Sequence, residues 1–171
     1  MNKLPRWTLP VVLGVALAAG AGFAFRGSLS RDTAPPVSYV LLDGSRHDSQ
    51  QAWAGKVMLV NFWATSCTTC VKEMPQVVAT YQKYKDKGFD TLAVAMSYDP
   101  PAYVSNFAET RQLPFKVAMD STGDIARSFG KVQLTPTTFL INKRGEIVKR
   151  FVGEPDFDAL HATIEKLLAE G

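Results

Sequence analysis

With 171 residues, 46% of them hydrophobic, the chain is long enough to bury one core and too apolar to remain disordered. Its formal charge of +3 lies wholly at one end: residues 1–36 hold four basic side chains against one acid, and residues 37–171 hold fifteen of each. That neutral majority excludes a broad basic surface for nucleic acid.

The chain opens with a positive start, residues 1–6, followed by residues 7–25 without a charge. This is the pattern of an export signal. Its length is close to the roughly 20 residues that span a bilayer as a helix, so residues 1–26 are expected to be an inner-membrane anchor. The small-x-small triplet Ala19-Gly20-Ala21 gives the alternative, a signal peptide cleaved near Ala21. Either places the remainder in the periplasm or outside the cell, where disulfides persist. Residues 27–36, "GSLSRDTAPP", read as a linker, and residues 37–171 as the domain.

Within the domain, "VSYVLLDGSRHDSQQ" predicts a hairpin turning at Asp43-Gly44. The nearly continuous apolar run over 57–64 predicts a strand buried on both faces. A helix is predicted over 68–87 from Val71, Met74, Val78 and Tyr81 at spacings of three and four. It contains Pro75, which frees the Val71 carbonyl and bends the axis. Strands follow in "FDTLAVAMSY" and "PFKVAMD", helices in "PAYVSNFAETRQL" and "TGDIARSFG". Two strands joined by a loop containing Gly145 come next, and then a helix after Pro155 with Phe157, Leu160, Ile164, Leu167 and Leu168 as its apolar stripe. Strands alternating with helices, closed by a hairpin and a helix, predict an α/β sandwich with a mixed sheet.

Cys67 and Cys70 are the only two cysteines. A bridge between them closes a loop too short to staple much, worth about 2 kcal/mol against about 4.7 for a 100-residue loop. Zinc needs about four ligands, and neither a second Cys-x₂-Cys nor a His-x₃₋₅-His is present. Two unconnected buried cysteines are the third alternative, and the spacing and strand-to-helix placement favour redox chemistry over it. The pair sits where a buried strand meets a helix, and the positive helix N-terminus favours a thiolate there. Cys67, nearer the helix start, is the expected attacking sulfur; Cys70, a turn deeper, resolves the mixed disulfide. Asn61 on the preceding strand cannot titrate, so Glu73, three residues after Cys70 and on the same helix face, is the candidate proton carrier. His47 and His161 lack ligand-spaced partners and are expected to be structural.

The stretch "NFWATSCTTCVKEMP", the Thr135-Pro136 pair before "TTFLI", and the strand and helix elements between them resemble the TlpA/ResA-like thiol-disulfide oxidoreductases of the thioredoxin superfamily, over residues 37–168. The family commonly has Trp before the first cysteine and often Pro inside the pair, where this chain has Ser66 and Thr68-Thr69. The resemblance implies a three-layer sandwich with a mixed central sheet, an N-terminal hairpin and a central strand-helix insertion. It implies a redox-active Cys67–Cys70 disulfide, a functional acid at Glu73, and a cis Pro136 opposite the cysteines. Thr135 is then expected to bind an extended peptide substrate through its main chain. Trp63 is placed with the substrate-binding residues, although an aromatic on a buried strand serves a core equally well.

The function so implied is reduction of disulfides in exported proteins, including cysteine pairs of apocytochrome c, with a membrane dithiol donor restoring Cys67 and Cys70. An oxidase uses the same two sulfurs at a higher potential. No cofactor or metal is expected. Two other activities compete. A peroxiredoxin site, Pro-x₃-Thr/Ser-x₂-Cys, lacks its proline because residue 60 is Val60. A Sco-like copper carrier needs wider cysteine spacing and a histidine that neither His47 nor His161 matches.

Overall fold

The structure is a computed structural model that describes residues 32–170. The anchor or signal peptide expected over 1–26 and the first part of the 27–36 linker lie outside the described residues. The fold below is that of the unit Arg31–Gly171.

Seven strands form one sheet. They are β1 (Ser38–Leu41), β2 (Arg46–Asp48), β3 (Val57–Trp63), β4 (Phe89–Ala95), β5 (Lys116–Met119), β6 (Thr137–Ile141) and β7 (Ile147–Val152), in the spatial order β2-β1-β5-β4-β3-β6-β7. The β3–β4 and β4–β5 pairs are parallel and the rest antiparallel, which is the mixed sheet expected. The helices are α1 (Ser49–Ala52), α2 (Thr68–Tyr84), α3 (Pro101–Thr110), α4 (Asp124–Ser128) and α5 (Phe157–Ala169). Among the described residues no helix is long and apolar enough to cross a membrane.

Every residue of β3 is buried, because both faces of the strand are covered. Val57, Leu59 and Trp63 join Met74 and Val77 of α2, Val104 of α3 and Leu160, Ile164 and Leu167 of α5 in one core layer. Met58, Val60 and Phe62 point the other way, toward Trp53 and the α4 residues Ile125 and Ala126. Fully burying each such aliphatic or aromatic side chain contributes about 1.5–3 kcal/mol, so this inner strand is firmly fastened on both faces. The strand therefore gives its far end, where the cysteines begin, a rigid foundation.

The inward face of α2 differs from the predicted stripe. Cys70, Glu73, Met74, Val77, Thr80 and Tyr84 are buried, whereas Val71, Val78 and Tyr81 are half-buried at the side. Two polar residues on the inner face hid it from a pattern of apolar spacing. Glu73 is bonded to Asn61, and the Thr80 hydroxyl lies 2.9 Å from His161 Nε2. The short helix α1, capped by the Asp48 carboxylate on the Gln50 N–H, also went unpredicted within the return arm of the hairpin.

The described end of the expected linker pairs with the sheet. Ile147 N–H donates to Asp32 O at 2.7 Å and Ala34 N–H to Gly145 O at 2.8 Å, with Thr33 bridged to Glu146. A small, polar, proline-ended composition reads as a tether, yet its backbone groups still find partners at the β6–β7 turn. Gly145 there has φ of 78°, the left-handed conformation for which glycine is best suited.

Candidate active site

Strand β3 ends at Trp63, and after a four-residue turn the chain enters α2 at Thr68. Cys67 is the N-cap of α2, with extended backbone (φ −88°, ψ 103°), and its Sγ accepts a hydrogen bond from the Cys70 N–H at 3.1 Å. The cysteine thus does what Ser or Asp does at other helix starts. Cys67 and Cys70 form a disulfide with Cα atoms 5.2 Å apart. Cys67 is partly exposed and Cys70 is fully buried, so an incoming sulfur reaches only Cys67. On reduction the same N–H and the helix dipole favour a Cys67 thiolate.

The turn between β3 and α2 is fixed by a residue the sequence reading missed. Asp99, 2% exposed, accepts from Thr65 N–H through Oδ2 and from the Thr65 hydroxyl through Oδ1, both at 2.6 Å. In sequence it sits in "SYDPP", ahead of two prolines and a helix, where an aspartate suggests only a cap.

Glu73, on α2 three residues after Cys70, faces the sheet and is 1% exposed. Its Oε1 accepts from Asn61 Nδ2 at 3.0 Å, and the same nitrogen donates to Thr138 Oγ1 at 2.9 Å. Burial raises the Glu73 pKa to about 7; the Asn61 hydrogen bond pulls it down, and the Glu154 charge pushes it up. A carboxyl poised near neutrality can both donate and accept a proton.

The Thr135-Pro136 bond is cis, as the resemblance implies. Pro136 precedes β6, whose Thr137 pairs with Phe62, so it lies beside the end of β3 from which the cysteine turn departs. Pro136 O accepts from Gly153 N–H at 2.8 Å. Thr135 is half-buried, with its hydroxyl 3.3 Å from the Tyr98 hydroxyl. Tyr98, Leu134 and Val152 are 57%, 66% and 56% exposed, an apolar rim along this edge.

Trp63 requires a correction. It is fully buried and packs on Phe107 with ring centroids 5.0 Å apart, so it supports the site from beneath and cannot touch a docked chain. The two histidines are occupied elsewhere: His161 with Thr80, and His47 stacked on Tyr39. Among the described residues no three His, Cys, Asp or Glu side chains gather to hold a metal ion.

Two sulfurs that join and part at a helix start, one open and one enclosed, suit electron exchange with other sulfurs. The chain is accordingly a thiol-disulfide oxidoreductase on the thioredoxin fold. It belongs to the Redoxin family, whose model matches residues 29–168, and to its TlpA/ResA-like branch. The thiol-disulfide oxidoreductase ResA of Bacillus cereus (strain ATCC 10987 / NRS 248) is 32% identical over 173 residues, covering 96% of this chain and 98% of its own. ResA of Halalkalibacterium halodurans is 30% identical and covers 90% of each. The solution structure of a thioredoxin candidate from Neisseria meningitidis superposes with TM-score 0.76 at 40% identity, covering 83% of this chain and 93% of that one.

Proposed function

We propose that the protein is exported and reduces disulfides of other exported proteins, cysteine pairs of apocytochrome c among them. The observation that carries this is the asymmetry of the pair: Cys67 reachable at the N-terminus of α2, Cys70 enclosed behind it. The Cys67 thiolate attacks one sulfur of the substrate disulfide, forming a mixed disulfide and expelling a substrate thiolate. Cys70 gives its proton to Glu73 and attacks Cys67 Sγ, which restores the Cys67–Cys70 bridge and expels the second substrate thiolate. Two electrons pass from the dithiol to the substrate, and a membrane dithiol donor returns them by the reverse exchange. As the bridge opens again, Glu73 hands its proton back to Cys70.

Export is supported by the charged start and apolar run of residues 1–25, and thiol-disulfide exchange by the relatives named thiol-disulfide oxidoreductase ResA. Thr135 and Pro136, rimmed by Tyr98 and Leu134, offer the edge on which an extended substrate lies. The decisive experiment replaces Cys70 with Ser and captures partners from an exported extract as mixed disulfides, alongside equilibration of the native pair in glutathione buffers. A potential of about −270 mV or lower supports a reductant, and one near −120 mV makes the protein an oxidant.

A further inference from the structure

Among the described residues, two buried acceptors at the centre of the site have no partner: Asn61 Oδ1 and Glu73 Oε2. They belong to side chains already joined through Asn61 Nδ2 and Glu73 Oε1. The second hydrogen of that nitrogen goes to Thr138 Oγ1, so the amide has no donor left to offer. An amide and a carboxylic acid close a ring when the amide N–H meets the acid carbonyl and the acid O–H meets the amide carbonyl. The two orphaned atoms are the matching halves of that second bond, and one proton satisfies both.

We propose that Asn61 is a positioning residue for the exchange proton: in the oxidised protein it holds Glu73 as a cyclic acid–amide pair, with the proton on Glu73 Oε2 directed at Asn61 Oδ1. Thr138 on β6 fixes the amide so that its carbonyl cannot swing away. When the proton leaves for Cys70, the Asn61 N–H stays on the carboxylate, a charge-assisted bond that steadies the anion. One uncharged side chain therefore receives both protonation states.

The surroundings are consistent with this arrangement. Asn61 and Thr138 carry no charge, and the Cys67–Cys70 bridge carries none while oxidised. Glu154, after β7, repels the Glu73 anion, and Lys72 is engaged with Glu154 at 3.3 Å.

The inference rests on the proposed role of Glu73, but its test needs no substrate. Infrared spectra of the oxidised full-length chain, with the Glu73→Gln spectrum subtracted, isolate the Glu73 carboxyl band as pH is varied. The expected result is the band of a hydrogen-bonded protonated acid with a midpoint near neutrality. In Asn61→Leu the band should move to the frequency of a free acid, and the midpoint should rise by roughly 1 to 2 pH units, the size of a lost hydrogen bond to a charged group. Asn61→Asp, which keeps the shape of the site, should also retain a proton to higher pH, because two adjoining carboxylates do not ionise together.

Absence of any protonated band at pH 6 overturns the proposal, since a bridging water would then fill the gap beside an ionised Glu73. An unchanged midpoint in both variants overturns it as well. Disulfide exchange measured on the same samples separates the two readings: a normal carboxyl band in a protein that reduces no protein disulfide removes the function and leaves the acid–amide pair standing.

Discussion

Asp99 grips Thr65 with both carboxylate oxygens, one on its main-chain nitrogen and one on its hydroxyl, each at 2.6 Å. The contact ties the loop after β4 to the turn that carries Cys67, two residues beyond. Hydrogen bonds to an ionised acceptor are among the stronger kind. Asp99→Ala should therefore cost roughly 2 kcal/mol in urea unfolding, and Thr65→Val, which keeps the main-chain bond, about 1 kcal/mol. Losses within experimental scatter for Asp99→Ala would show the turn to be held by its neighbours alone.

Glu73 sets a pH dependence of stability whose sign follows from its burial. Its folded pKa of about 7 lies above the ordinary 4.5, so the folded state holds a proton that the unfolded chain has released between those values. Stability then falls as pH rises from about 4.5 to about 7, by about 3 kcal/mol at most. Glu73→Gln removes this slope and should be more stable than the parent protein at pH 8, while matching it more closely at pH 4. Paired urea titrations at the two pH values measure the difference, and parallel curves would contradict it.

The cap formed by Cys67 bears on its reactivity once the pair is reduced. Iodoacetamide should modify Cys67 first, with a rate midpoint at least about one pH unit below the ordinary thiol value near 8.5. Cys70, enclosed, should react slowly until the protein unfolds. Equal rates for the two sulfurs at pH 7 would leave the helix start without influence on either.

The rim beside Thr135 should discriminate by substrate size. Tyr98→Ala and Leu134→Ala each remove an exposed apolar contact worth about 1 kcal/mol to a docked chain, or roughly five-fold in KM for a protein disulfide. Reduction of a small aromatic disulfide should be unaffected. A uniform loss on both substrates would point instead to damage at the sulfurs.

The parts of this site that were legible in the sequence are those whose chemistry is local. The Cys-x₂-Cys spacing after an apolar run placed both sulfurs at a helix start, and the three-residue step placed Glu73 on the helix face of Cys70. The seven-residue buried strand was legible too, because continuous burial leaves a continuous apolar run. Contacts between distant segments were not. Asp99 and Thr138 lie 34 and 77 residues from the side chains they bind, and nothing in "SYDPP" or "TTFLI" states which partner each will meet. Trp63 was misplaced for a related reason: a continuous apolar run shows that the strand is inside, but the neighbour on each face depends on where the helices come to rest.

The pairing of Asp32 and Ala34 with the β6–β7 turn has a mechanical consequence. That turn follows Ile141, whose partner Met58 is near the beginning of β3, whereas the sulfurs follow the strand's other end. Seven residues of strand separate the two poles by about 20 Å. The chain at Asp32 and Ala34 is therefore fastened to the pole remote from the sulfurs and takes no part in the rim beside them.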